Sequence, residues 1–136
     1  MKPILVDTGC IVALLDRSER HHQLCVETVA DLSAPLVTCE AVIAESCYLL
    51  RSLDGAADAV LQNVENGVFR LPFRLEASAD AVGRLLRRYR NVPMDLADAC
   101  LVQMADELGA GDILTLDSDF KVYRWRRTRR FNNLLR

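Results

Sequence analysis

The chain has 136 residues, of which 51% are hydrophobic and 26% charged, with a formal net charge of −2. This is the size and balance of one globular domain, and it excludes a disordered tail, a collagen-like rod, a small disulfide scaffold and a large multidomain enzyme. The longest apolar run near the start, Cys10 to Leu15, falls short of the ~20 residues a membrane span needs, and Asp7 interrupts any signal-peptide core, so the expected location is the cytoplasm.

Ile4-Leu5-Val6 is a short continuous apolar run, the mark of a strand buried on both faces. Asp7 ends it, and Thr8-Gly9 opens a helix over Cys10 to Asp16. A second helix is expected from about Glu19 to Leu32, broken by Ala34-Pro35. Leu36-Val37 is a second short strand. Thr38 is a candidate N-cap for a helix running to about Leu53, with Glu40 in its first turn. Asp54 is expected to cap another helix that ends near Gly67. Val68 to Phe73 reads as a strand, and Pro72 assigns it to an edge. Ser78 to Tyr89 carries Ala79, Val82, Leu85, Leu86 and Tyr89 at helical spacing. Asn91-Val92-Pro93 is a loop. Asp95 to Leu108 is a helix closed by Gly109, Asp112 to Leu116 is a strand ending at Asp117, and Val122 to Arg126 is a candidate last strand. Strands and helices alternate, which predicts an α/β fold: a three-layer α/β/α sandwich around a small, mainly parallel sheet, with residues 1–136 forming one domain.

Charge is distributed unevenly. From Phe120 to Arg136 there are seven basic residues and no acid, so the other 119 residues hold 10 basic against 19 acidic. A basic end on an acidic body suggests a polyanionic partner; the alternative is a solvated arginine-rich edge. Tyr123 and Trp125 lie among these arginines and fit either base stacking or packing in the core or a dimer. The five cysteines, at 10, 25, 39, 47 and 100, form no C-x-x-C pair and no zinc set with the adjacent His21 and His22. They read as free, mostly buried thiols in a reducing compartment.

Phosphate-binding glycine loops and a nucleophile elbow are absent, which leaves carboxylates. Asp7 and Asp117 are placed at the carboxyl ends of two strands, the edge where open parallel sheets bind ligands. Each alone could simply cap a helix. Asp119 follows Asp117 and can point the same way in extended chain. Glu45 lies within about 60° of Val42 and Leu49 on the helical wheel, so it borders the apolar stripe and faces the core or a cleft. Asp98 occupies the first turn of its helix, where it could serve only as the N3 partner of Asp95 in a capping box; the same helix start faces the strand ends that carry Asp7 and Asp117. Two carboxylates ~4 Å apart repel by about 4 kcal/mol at an effective dielectric of 20. A cluster of four is therefore expected to hold protons or a hard cation, Mg²⁺ or Mn²⁺, with Thr8 and Thr115 orienting carboxylates or water. Such sites commonly perform phosphoryl chemistry.

Val6-Asp7-Thr8-Gly9, Ala44-Glu45 in a helix after Leu36-Val37-Thr38, Leu96-Ala97-Asp98-Ala99, and Leu114-Thr115-Leu116-Asp117-Ser118-Asp119-Phe120 together resemble the PIN-domain family. The likeness is to the VapC-type toxins of bacterial toxin–antitoxin pairs, and it runs from about residue 3 to 125. It implies a Rossmann-like sandwich and a metal-dependent endoribonuclease. The implied metal-site and catalytic acids are Asp7, Glu45, Asp98 and Asp117, with Asp119 and Asp95 auxiliary. A homodimer, an RNA substrate and a cognate antitoxin whose C-terminal segment covers the site are implied as well. His22 falls where many relatives carry a histidine and receives no catalytic role. The expected reaction is in-line attack of water on an RNA phosphodiester, with either Asp98 or Asp117 positioning or deprotonating that water. The rivals are a non-catalytic PIN-like module that binds RNA or protein, an aspartyl-phosphate phosphatase and a receiver-like domain. Asp7-Thr8-Gly9 lacks the second acid the phosphatase needs. The receiver needs an Asp on its own mid-chain strand, which is missing.

Overall fold

The computed structural model describes residues 1–135. Strand β1 (Ile4–Val6) leads into helix α1 (Thr8–Leu15) and then α2 (His22–Ala30). Strand β2 (Leu36–Val37) is followed by α3 (Glu40–Leu49) and α4 (Ala56–Glu65), and strand β3 (Phe69–Arg70) by α5 (Leu75–Arg88) and α6 (Leu96–Leu108). The chain closes with β4 (Asp112–Leu114), a 3₁₀ turn over Ser118–Lys121, β5 (Arg124–Trp125), β6 (Arg129–Arg130) and β7 (Asn132–Asn133). Five strands form one sheet in the order β3-β2-β1-β4-β7, and every pairing in it is parallel. No helix among the described residues is long and apolar enough to cross a membrane.

The order explains the layers. From β1 the chain steps to β2 and then β3 on one side, then crosses back to place β4 on the other side of β1. Right-handed crossovers in opposite directions put their helices on opposite faces. Accordingly α1 packs on α2, α3 and α4, whereas α5 packs on α6. The central strands are sealed from water on both faces: Leu5, Val6, Ile113 and Leu114 are buried, as are Ile11, Val42, Leu101 and Val102 from the covering helices. Between β1 and β4 the direction of connection reverses, which opens a crevice at their carboxyl ends.

Several local expectations are corrected. Helix α1 starts at Thr8 rather than Cys10, because Asp7 is its N-cap and accepts the Thr8 N–H. Helix α2 starts at His22 rather than Glu19, because Asp16 accepts from both the backbone and the hydroxyl of Ser18 and turns the chain there. Thr38 does not cap α3. Cys39 occupies that position, and the Thr38 hydroxyl instead donates to the carbonyl of Val6 (2.7 Å), tying the ends of β2 and β1 together. Gly55, at φ 77°, precedes α4 where Asp54 was expected; the left-handed turn is open to glycine at little cost. Helix α5 begins at Leu75, ahead of Ser78.

The main correction concerns the last strand. Arg124–Trp125 does not join the sheet; it pairs antiparallel with Arg129–Arg130 in a separate ribbon. The fifth strand is Asn132–Asn133, two residues of poor strand propensity. They are held because Asn132 N–H donates to the Gly111 carbonyl (2.9 Å) and Leu134 N–H to that of Ile113 (2.9 Å). Tyr123 and Trp125 are buried, so they pack in the core and offer no exposed face for base stacking.

Candidate metal centre

The four expected acids, and Asp95 with them, converge on the crevice between β1 and β4. A cavity of about 300 Å³ there is lined by Asp7, Glu45, Asp95, Asp98 and Asp117 together with Thr8, Gly9, Leu49 and Leu116. Each carboxylate arrives by a different route. Asp7 leaves the end of β1, where its own N–H is fixed by the Leu114 carbonyl (3.0 Å). Asp98 sits in the first turn of α6, and Asp117 stands three residues beyond β4. Glu45 comes from the middle of α3.

Carboxylate oxygens of Asp7, Asp98 and Asp117 all lie within 4.8 Å of one another. Glu45 lines the same cavity outside this trio, and its Oε1 accepts from the Thr8 hydroxyl at 2.6 Å. Asp95 also lines the cavity. The capping box exists, with Asp98 N–H donating to Asp95 Oδ1 (2.9 Å) and Asp95 N–H to Asp98 Oδ2 (3.3 Å). Capping and membership of the trio are thus compatible for Asp98. Asp119 stands outside the trio and does not line the cavity; its main-chain N–H donates to Asp117 Oδ1 (2.9 Å). His22 does not line the cavity; its Nδ1 pairs with the Ala13 carbonyl (2.6 Å).

The hydroxyls act as the sequence suggested. Thr115 is buried. Its Oγ1 donates to Asp7 Oδ2 (2.7 Å) and accepts from Asp117 N–H (3.0 Å), so one side chain sets the spacing of two acids. Two further residues in this support were not foreseen. The Tyr123 hydroxyl donates to Asp98 Oδ2 (3.1 Å), with its ring held edge-on against Tyr89 and Phe120. The Asn133 side-chain amide grips the backbone of Thr115, accepting from its N–H (3.2 Å) and donating to its carbonyl (2.9 Å). A polar residue inside the basic tail gives no signal of such a partner until the chain folds back.

The electrostatics follow from burial. Asp7 and Asp98 are only 6% and 7% exposed. Desolvation pushes the Asp7 carboxyl up to about 6, and the hydrogen bonds from Thr115 and Thr8 offset only part of it. Burial, and then the neighbouring Asp95 carboxylate, push Asp98 upward too. Among the described residues, no lysine or arginine lines the cavity. A site with three convergent oxygen donors, two of them reluctant to be charged, has the donor chemistry of a hard divalent cation. Size alone does not single it out. A cavity of about 320 Å³ lies across Leu116–Asp117, lined among others by His21, Leu24, Lys121 and Phe131, but among the described residues it has a single carboxylate, that of Asp117.

Comparison with known proteins gives the family and the fold. Residues 4–126 match the PIN domain family, and the chain belongs to it. It is 30% identical over 116 residues to Ribonuclease VapC26 of Mycobacterium tuberculosis (strain ATCC 25618 / H37Rv), an alignment covering 84% of this chain and 86% of that protein. The fold is similar to the crystal structure of Mycobacterium tuberculosis VapC20, a sarcin–ricin loop cleaving toxin. There the TM-score is 0.82 and the identity 22%, with 93% of this chain and 98% of that chain covered.

Proposed function

We propose that the protein is a metal-dependent endoribonuclease that hydrolyses RNA phosphodiester bonds, and that it is the toxin component of a toxin–antitoxin pair. One observation carries this reading: Asp7, Asp98 and Asp117, spread over 110 positions of the sequence, bring carboxylate oxygens within 4.8 Å of one another in a cavity that no lysine or arginine among the described residues lines. The relative named as a ribonuclease supports the reaction class. The complete set of acids weighs against a binding module that has lost cleavage.

Asp7, Asp98 and Asp117 would hold Mg²⁺ or Mn²⁺, with Glu45 as the fourth catalytic acid at the rim. Such an ion, when bound, supplies a more acidic water and neutralises charge on the phosphodiester. The chain's own part is to place and charge the ligands. Thr115 spaces Asp7 from Asp117, Tyr123 and Asp95 orient Asp98, Thr8 restrains Glu45, and the Asp119 N–H holds Asp117, through which Asp119 supports the site. Between Asp98 and Asp117, Asp117 is the better placed to orient or deprotonate the attacking water, because it is the exposed member of the trio.

The partners follow from the same reading: RNA in the cavity, an antitoxin segment that covers it, and a second copy of the chain. Exposed Tyr48, Leu49, Leu53 and Leu61 on and beside α3 and α4 offer apolar surface for the homodimer. Residues 1–136 act as a single nuclease unit that includes the basic segment 120–136, of which Arg136 lies outside the described residues. Five free thiols suit the reducing cytoplasm. The test is cleavage of a structured RNA by the purified protein with Mg²⁺ or Mn²⁺, with EDTA and with Asp7→Asn. Cleavage is expected only with the ion and the native aspartate, and expression in a growing host should arrest growth unless Asp7 is replaced. Near-full activity of Asp7→Asn would overturn the assignment.

A further inference from the structure

The arginine-rich segment folds away from the acidic cavity. The Trp125 indole packs closely on Gly111, where any Cβ would overlap its Nε1 edge, and Nε1 donates to the Arg130 carbonyl (3.2 Å). Arg126 N–H donates to the Asp106 carboxylate, and Arg126 Nη2 to the Asp106 carbonyl (3.3 Å). These anchors fix the β5–β6 ribbon at the C-terminal end of α6 and the amino ends of the strands. A shallow cavity of about 220 Å³ there is lined by Lys2, Gly111, Asp112, Trp125, Arg129 and Arg130, among others. The acids lie at the other end. From Asp112 to Asp117 along the extended chain is ~16 Å, and from Asp106 back to Asp98 along the helix ~12 Å.

The arginines are not equivalent. Arg124 is turned inward, donating from Nη1 to the carbonyls of Lys121, Val122 and Tyr123. Arg126 and Arg127 sit at φ 44° and 67°, a left-handed turn that arginine disfavours and that the Asp106 clasp holds. Arg127, Arg129 and Arg130 are exposed, and among the described residues none has a carboxylate within 4.0 Å. Among the described residues, the cavity that must receive a phosphodiester is lined by five acids and no lysine or arginine, so apart from the ion the protein's own side chains offer the polyanion no attraction there. The attraction that holds the rest of the strand has to come from elsewhere.

We propose that the β5–β6 ribbon is an exosite for the RNA backbone, in which Arg127, Arg129, Arg130 and Lys2 hold phosphates several nucleotides from the bond that is cut. The proposal rests on the ribonuclease reading and adds a length requirement to it. A stacked strand advances ~3.4 Å per nucleotide, so about five nucleotides separate the two ends of the sheet. RNA is favoured over an acidic protein segment because the substrate itself needs this compensation.

The test compares wild type with the triple variants Arg127→Gln/Arg129→Gln/Arg130→Gln and Arg127→Lys/Arg129→Lys/Arg130→Lys. Cleavage is measured on a trinucleotide and on a 25-nucleotide RNA. Binding of the longer RNA is measured in an Asp7→Asn background at 50 and 200 mM salt. With three single-strand contacts at ~0.7 each, the log–log slope falls by about 2 in the glutamine variant, so its affinity loses about 20-fold less over that fourfold salt change. KM on the long RNA should rise at least tenfold with kcat retained, trinucleotide turnover should not change, and the lysine variant should keep most of the slope. An unchanged slope and KM in the glutamine variant overturn the exosite, and loss of protein-partner binding alone in that variant reassigns the ribbon to a protein. Failure of wild type to cut any RNA overturns the ribonuclease reading instead, while the binding measurement still decides the exosite.

Discussion

Replacing Asp7 by asparagine should abolish cleavage and, without divalent ions, make the protein more stable. Asp7 is buried and its carboxyl is raised from 3.8 to about 6, chiefly by desolvation. A folded-state pKa above the unfolded one means that stabilisation from the neutral acid is complete below about pH 3.8 and is lost as pH rises through about 6. At ~1.36 kcal/mol per pH unit, the rise corresponds to about 3 kcal/mol at pH 7.5. Asparagine keeps the shape and never bears the charge, so it escapes that cost. For a chain of this length ~4 °C of melting temperature accompanies each kcal/mol, which sets an upper bound of about 12 °C. Part of this is returned, because one asparagine nitrogen must now face a group that donated to the carboxylate: the Thr8 N–H or the Thr115 hydroxyl. Thermal melts in EDTA at pH 7.5 should show Asp7→Asn melting several degrees above wild type, with the gap roughly halved at about pH 5 and closing as the pH falls to about 3.8. Millimolar Mg²⁺ should narrow or reverse the order at pH 7.5 by stabilising wild type alone. An asparagine variant that melts below wild type in EDTA at pH 7.5 would refute the electrostatic account of this pocket.

Three further outcomes are expected. Mg²⁺ or Mn²⁺ should raise the melting temperature of wild type more than that of Asp98→Asn, since a ligand at a hundredfold its Kd adds ~2.7 kcal/mol to a native state that binds it; equal shifts would remove Asp98 from the site. Thr115→Val takes away the hydroxyl that spaces Asp7 from Asp117 and should lower metal affinity or activity by about 10- to 100-fold, measured by metal titration and initial rates on a protein whose circular dichroism is unchanged. Tyr123→Phe deletes only the bond to Asp98 and should cost about 1–3 kcal/mol in urea unfolding, whereas Tyr123→Ala, which also empties a fully buried ring position, should cost about 3–5 kcal/mol.

Much of this protein was legible along the chain, because the relevant rules are local. Ile4-Leu5-Val6 and, after Asp112, Ile113-Leu114 read as strands since the part of a strand covered on both faces must be apolar. Gly109 ends α6 in the left-handed region as its lack of a Cβ allows. The four acids could be picked out because a carboxylate at a strand end, or on the border of an apolar stripe, is costly unless it has work to do. The threonine hydroxyls beside them were foreseen on the same grounds. Other features depend on what a residue meets after the chain has folded back. Nothing local reveals that Asn133 will pair with the backbone of Thr115, that Tyr123 will be buried beneath Asp98, or that Thr38 will bond to Val6 instead of capping a helix. Whether Arg124–Trp125 joins the main sheet or a separate ribbon is likewise a competition between distant partners, which alternation in sequence does not register. Spacing therefore determined which residue types could form strands, caps and a metal site. Tertiary packing determined that three carboxylates meet, that two of them lose their water, and that the basic ribbon lies at the opposite end of the sheet. Those outcomes rest on long-range contacts and desolvation, which exist only once the core has closed.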